Sequence, residues 1–70
     1  MNEIDATKYA GEVLRKLIKE NYTSQEEFAY DFGADIRTVS RYINDGITKF
    51  NTIQELAMFF DVSMRDFCPD

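Results

Sequence analysis

The sequence contains no histidine, no tryptophan and a single cysteine, Cys68. One thiol cannot form an internal disulfide, and a zinc site built from cysteine and histidine cannot be assembled. Serine–histidine and cysteine–histidine nucleophiles are excluded for the same reason. Carboxylates are numerous, but no motif marks two of them as a catalytic pair. We therefore expect a protein that is not an enzyme and that uses no metal, cofactor or small-molecule ligand.

Long apolar runs are also missing. No stretch approaches the roughly 18 apolar residues that span a bilayer. The N-terminal segment is acidic and has no apolar run behind it, which excludes a secretory signal peptide. These absences predict a cytoplasmic protein with no membrane partner. A length of 70 residues allows one small domain, residues 1–70.

Three glycines and one proline interrupt a sequence in which apolar residues otherwise recur at helical spacing. No segment alternates between apolar and polar residues in the manner of a strand. The pattern predicts an all-α domain of five short helices. The first spans about 7–21 and the third 36–44, and the last is a single turn over 64–67. The buried face of the fourth helix is expected to carry Phe50, Ile53, Leu56, Ala57 and Phe60.

Capping residues indicate where these helices begin and end. Ser24 with Glu27 forms the S-x-x-E capping box of the second helix, although Thr23 with Glu26 offers the same pattern one residue earlier. Gly33 ends this helix. Asp35 is the expected N-cap of the third helix, which closes before Gly46. Ser63 and Asp66 are expected to cap the last turn, and Pro69 terminates it.

Residues 24–44 have the pattern of two short helices joined by a tight turn. Ala29 is a small residue at the point where the two helices would cross, and Gly33 begins the turn with no Cβ to obstruct it. Phe28, Val39 and Tyr42 are apolar at the positions that such a pair buries. The spacing predicts a helix-turn-helix that turns residues 36–41 outward.

Six segments carry a resemblance to a known family. They are LRKL (14–17), TSQEEFA (23–29), GAD (33–35), TVSR (38–41), TIQELA (52–57) and FDVSMRDF (60–67). Together they resemble the Cro and phage-repressor (Xre-like) helix-turn-helix family over residues 9–67. The resemblance implies a lambda-repressor-like fold and a sequence-specific transcriptional regulator, a repressor, that binds double-stranded DNA. It also implies that the helix Ile36–Asn44 reads the major groove.

The resemblance implies contact residues position by position. The expected base contacts are Ile36, Arg37, Ser40 and Arg41. The expected phosphate contacts are Thr23, Ser24, Gln25, Asn44 and Lys49. Arg37 and Arg41 lie four positions apart on one helix face, and arginine can donate two parallel hydrogen bonds to guanine. One departure concerns the exit of this helix, where four residues separate Arg41 from Gly46 and the family usually has three.

The net charge of −5 opposes binding to nucleic acid, so the distribution of charge matters. Residues 33–49 carry a charge of +1 and the rest of the chain carries −6, with acidic residues clustered at the two ends: Glu3, Asp5, Asp61, Asp66 and Asp70. Asp35 is expected to serve in capping rather than to face DNA. We expect weak binding by a monomer and useful affinity from two copies.

The role of two apolar residues on the fourth helix and the function of the protein each have two possible interpretations. Met58 and Phe59 lie beside the buried stripe of the fourth helix. They either edge the core or form a patch through which the fourth and fifth helices of two copies make a homodimer. The alternative function is a helix-turn-helix fold that serves as a protein–protein interaction module without DNA binding.

Overall fold

The computed structural model describes residues 6–69, and over that range it contains four α-helices, one 3₁₀ turn and no strand. The helices are α1 (Ala6–Asn21), α2 (Gln25–Phe32), α3 (Ile36–Asp45) and α4 (Phe50–Phe60), and the 3₁₀ turn is Met64–Phe67. The all-α prediction is confirmed. Within these residues no helix combines the length and apolarity that a membrane crossing requires. The expected terminal charges Glu3, Asp5 and Asp70 lie outside the described residues.

Phe28 of α2 is fully buried at the centre of an aromatic cluster. Its ring centroid lies 5.3 Å from that of Phe32 and 5.4 Å from that of Phe60, in stacked geometry. Tyr22 and Phe59 contact it edge-on at 5.7 and 5.6 Å. The buried apolar residues around it come from every element: Ala10, Leu14, Ile18, Ala29, Val39, Ile47, Leu56, Ala57 and Phe67. Burying each large side chain contributes about 1.5–3 kcal/mol, and this core joins α2 to its neighbours.

The backbones of α1 and α3 contact each other directly at Gly11. A Cβ built on Gly11 would overlap the carbonyl oxygen of Tyr42 and lie 3.2 Å from that of Ile43. One turn earlier on α1, the carbonyl of Thr7 accepts a 3.0 Å hydrogen bond from the amide of Ile47. α1 therefore holds the C-terminal end of α3 and the loop that follows it.

Gly33 connects α2 to α3 through its backbone conformation rather than through its small size. Its φ is +82°, in the left-handed region that favours glycine, and nothing lies within 4 Å of a Cβ built there. The expectation that a Cβ would obstruct the turn is therefore wrong. The amide of Ala34 donates to the carbonyl of Ala29 at 2.9 Å and the amide of Gly33 to that of Tyr30 at 3.3 Å, which closes the helix in a Schellman arrangement.

The fourth helix departs from its predicted face at its first residue. Phe50 is 67% exposed, so its expected burial is wrong, whereas Leu56 and Ala57 are buried. Phe50 and Ala57 share a helix face because they are seven residues apart, but at the N-terminal end of α4 this face lies outside the core. Thr52 is buried near this end instead.

Two buried residues outside the α-helices complete the core. Ile47, in the loop after α3, is 2% exposed, and its burial was not predicted. Phe67 of the 3₁₀ turn is equally buried. Ser63 caps this turn by accepting from the amide of Arg65 at 3.1 Å, and the Asp66 side chain, which was expected to share in the cap, makes no such bond.

We predict that Gly11→Ala lowers the free energy of unfolding by about 1–2 kcal/mol, the cost of overpacking less the gain in helix propensity. The added methyl group meets backbone rather than a flexible side chain, and overpacking of this kind costs about 1–3 kcal/mol. The gain of about 1 kcal/mol for alanine over glycine in a helix offsets this only partly. Urea unfolding measures the difference, with exposed Lys16→Ala on the same helix as the control. Wild-type stability in Gly11→Ala would contradict the close approach of α1 and α3.

Candidate nucleic-acid interface

One side of α3 is buried and the opposite side is exposed. Val39 is fully buried in the core, whereas Arg37 and Arg41 are exposed and Ile36 is 36% exposed. Ser40 is half-buried between the two surfaces. α3 extends to Asp45, so the additional residue before Gly46 continues the helix. The exposed side, with two arginines and one apolar side chain, has the composition of a surface that can contact base edges.

The two arginines of α3 are available to a ligand. Neither Arg37 nor Arg41 forms an ion pair with another described residue. Asp35 is the N-cap residue by position, but its side chain makes no capping hydrogen bond. The expectation that its carboxylate is occupied in capping is therefore wrong. Asp35 stays exposed next to Ile36 and opposes the approach of an anion there.

Residues 23–27 form a hydrogen-bonded cap at the start of α2. The Ser24 hydroxyl accepts from the amide of Glu27 at 3.1 Å, as the capping box predicts. The Glu27 carboxylate accepts from the amide of Thr23 at 3.0 Å and from its hydroxyl at 2.8 Å, one residue before the position that the capping box uses. These bonds from Thr23, the amide first and then the hydroxyl, lower the pKa of Glu27. The cap holds Thr23 and Ser24 in place on the surface.

The three phosphate contacts predicted around this cap lie together. Thr23, Ser24 and Gln25 line one groove of about 440 Å³ between α1 and α2. Arg15 and Lys19 of α1 line the same groove. The sequence did not predict these two residues as phosphate contacts, because it does not show which side of α1 faces the start of α2.

A second groove, of about 230 Å³, lies where α3 ends and α4 begins. It brings Arg41 together with Lys49, and Asp45 also lines it. The remaining lining residues include three threonines that sequence reasoning did not select: Thr38, Thr48 and Thr52. Asn44 is exposed but does not line this groove, and neither do Ile36 and Arg37. The predicted contacts therefore fall into two grooves and the open surface of α3.

The exposed apolar side chains of α4 lie at both ends of the helix. Phe50 is 67% exposed at its start, and Met58 is 75% exposed near its end. Phe59 is 39% exposed, and its ring lies 5.2 Å from that of Phe32, at the edge of the aromatic cluster. Met58 is thus the more prominent apolar side chain on this surface. Across residues 6–69 no group of three or more acidic or cysteine side chains is placed to hold a metal ion.

Comparison with known families agrees with this geometry. Residues 14–67 match the sequence model of a family described as helix-turn-helix. The match begins within α1 and ends at the 3₁₀ turn, so it includes both grooves and all of α3. The chain belongs to the Xre/Cro/lambda-repressor-like helix-turn-helix family. Its members are DNA-binding regulatory domains and not typically enzymes. No curated protein and no solved structure matches the chain significantly.

We predict that Glu27→Gln destabilises the protein at neutral pH and that the effect disappears in acid. The pKa of Glu27 is lower in the folded protein than its usual value of about 4.3. Its charge therefore stabilises the fold above that pH, and this contribution is lost as the pH falls through the lowered pKa. Thermal unfolding of wild type and variant from pH 7 to pH 2 measures this.

Glu26→Gln is the matched control, because the Glu26 side chain makes no hydrogen bond with a described residue. It should show a smaller dependence on pH than Glu27→Gln. Equal pH dependence in the two variants would mean that the Thr23–Glu27 bonds do not stabilise the cap.

Proposed function

We propose that this protein is a sequence-specific transcriptional repressor that inserts α3 into the major groove of double-stranded DNA. A bound protein of this kind would exclude other proteins from the same stretch of DNA. The proposal is supported above all by the exposure of Arg37 and Arg41, unpaired with described carboxylates, on a helix whose other side is held by buried Val39.

The side chains on the exposed side of α3 match the chemistry of base edges. Each arginine can donate two hydrogen bonds to O6 and N7 of guanine. Ile36, at the first position of α3, can contact the methyl group of thymine. Ser40 is half-buried, so its hydroxyl would reach only a base that lies close to α3. In this arrangement the arginines provide most of the sequence preference.

Phosphate contacts would come from the two grooves. Ser24 and Gln25 present a hydroxyl and a side-chain amide at the start of α2. Thr23 would join them by exchanging the bond from its hydroxyl to Glu27 for one to a phosphate oxygen. Lys49 and Asn44 provide donors near the end of α3, with Lys49 in the second groove. Such contacts orient α3 on the duplex but do not distinguish sequences.

The acidic composition limits the affinity of one copy. With few phosphate contacts the salt dependence should be shallow, and a net charge of −5 adds long-range repulsion. Two linked copies bind more tightly because the second binding event is intramolecular. We therefore propose that the protein binds DNA as a homodimer, with Met58 and Phe59 at the interface.

We predict that Arg37→Ala and Arg41→Ala each reduce sequence preference by about 5- to 150-fold, since one bidentate arginine–guanine pair provides about 1–3 kcal/mol of discrimination. Duplexes would first be enriched from a random pool by binding to the wild-type protein. Affinity for an enriched duplex and for its shuffled version is then measured by fluorescence anisotropy.

Arg65→Ala is the matched control, because Arg65 is exposed in the 3₁₀ turn and lines neither groove. It should keep the wild-type preference. If no sequence is enriched and the wild-type protein does not bind at low salt, the DNA-binding proposal is wrong. That result would favour a protein–protein interaction module.

We also predict that Met58→Glu prevents the second copy from joining on DNA. A carboxylate at this exposed apolar position would have to be buried without a partner in the dimer. Sedimentation of protein with an enriched duplex should give two copies for wild type and one for the variant. Tyr30→Glu, at an 87% exposed site on α2, should behave as wild type. A wild-type complex that contains one copy refutes the dimer.

A further inference from the structure

The groove between α1 and the start of α2 brings two cationic side chains together in an acidic protein. Two of its lining residues are positively charged and none is a carboxylate: Arg15, Ile18, Lys19, Tyr22, Thr23, Ser24 and Gln25. Glu26 and Glu27, on the first turn of α2, do not line it, but the Glu27 carboxylate accepts from the hydroxyl of the lining residue Thr23 at 2.8 Å. This balance contrasts with a net charge of −5 for the whole chain.

We propose that Arg15 and Lys19 bind a phosphate group of the DNA backbone in this groove. The inference rests on the proposed function and adds two phosphate contacts on α1 to those already named. The ammonium of Lys19 offers three donors and the guanidinium of Arg15 a planar fork, and both geometries suit phosphate oxygens. The hydroxyls of Thr23 and Ser24 border the same space.

Lys19 and Arg15 differ in the ion pairs that they form before a phosphate binds. Lys19 forms no ion pair with a described residue, so a phosphate can approach it without displacing a partner. Arg15 donates to Oε1 of Glu12 through Nη2 at 2.9 Å and through Nε at 3.3 Å. An exposed pair of this type contributes little to stability, so a phosphate can replace Glu12. Lys19 therefore provides the first contact, and Arg15 joins by exchanging its partner.

Lys16 supplies a matched comparison on the same helix. It is exposed and carries the same charge, but it does not line this groove. It lines a neighbouring surface depression with Glu12 and Glu20, which Arg15 and Lys19 also border. A general effect of positive charge would make Lys16 and Lys19 equivalent, whereas a phosphate site in this groove would not.

The test measures binding of a fluorescein-labelled duplex of mixed sequence over a series of KCl concentrations. Each phosphate contact contributes about 0.9 to the slope of log affinity against log salt. Lys19→Gln should make the slope shallower by about that amount, and Arg15→Gln should also make it shallower. Lys16→Gln should keep the wild-type slope. Circular dichroism checks that each variant retains its helical structure.

Sequence preference separates this inference from the proposed function. Lys19→Gln should keep the wild-type ratio of affinities for enriched and shuffled duplexes, because a phosphate contact does not read sequence. If wild type binds but Lys19→Gln and Lys16→Gln have equal slopes, the phosphate site is refuted while the DNA-binding function stands. If wild type binds no duplex at any salt concentration, both are refuted.

Discussion

The orientation of α3 depends on the direct contact between its C-terminal turn and the backbone of α1. Gly11 allows this contact because the carbonyl oxygen of Tyr42 occupies the space that a Cβ would fill. The bond from Ile47 to Thr7 joins the following loop to the same part of α1. With this end held and Val39 buried, the opposite side of α3 has to face outward. The packing that stabilises the domain therefore also selects the surface that the DNA would meet.

In a protein of this kind, the charges beside a bound phosphate affect DNA binding more than the net charge of the protein does. Charges on the surface are screened beyond about 8 Å at physiological ionic strength, so a phosphate responds mainly to its nearest side chains. Arg15 and Lys19 lie in one groove, and Arg41 and Lys49 in the other, where Asp45 is the carboxylate. The remaining acidic residues lower the overall affinity of the protein for DNA, which makes assembly of two copies more important.

Several features of the fold follow from short-range patterns and were predicted for that reason. A cap such as Ser24 with Glu27 acts within one helical turn, and Gly33 ends α2 through its own backbone conformation. The exposed positions Arg37 and Arg41 follow from helical periodicity once Val39 is known to be buried. Asp35 shows the limit of such rules, because the residue occupies the N-cap position without using its side chain.

The sequence by itself determined the order of the helices, their ends to within a residue or so, and the family, because each depends on neighbouring residues or on a continuous motif. The tertiary structure alone decided that Phe50 is exposed and Ile47 buried, that Gly11 contacts α3, and that Arg15 and Lys19 border Thr23–Gln25. These facts depend on where one helix lies relative to another. Periodicity specifies which face of a helix is apolar, but it does not specify how far along its axis the neighbouring helix extends.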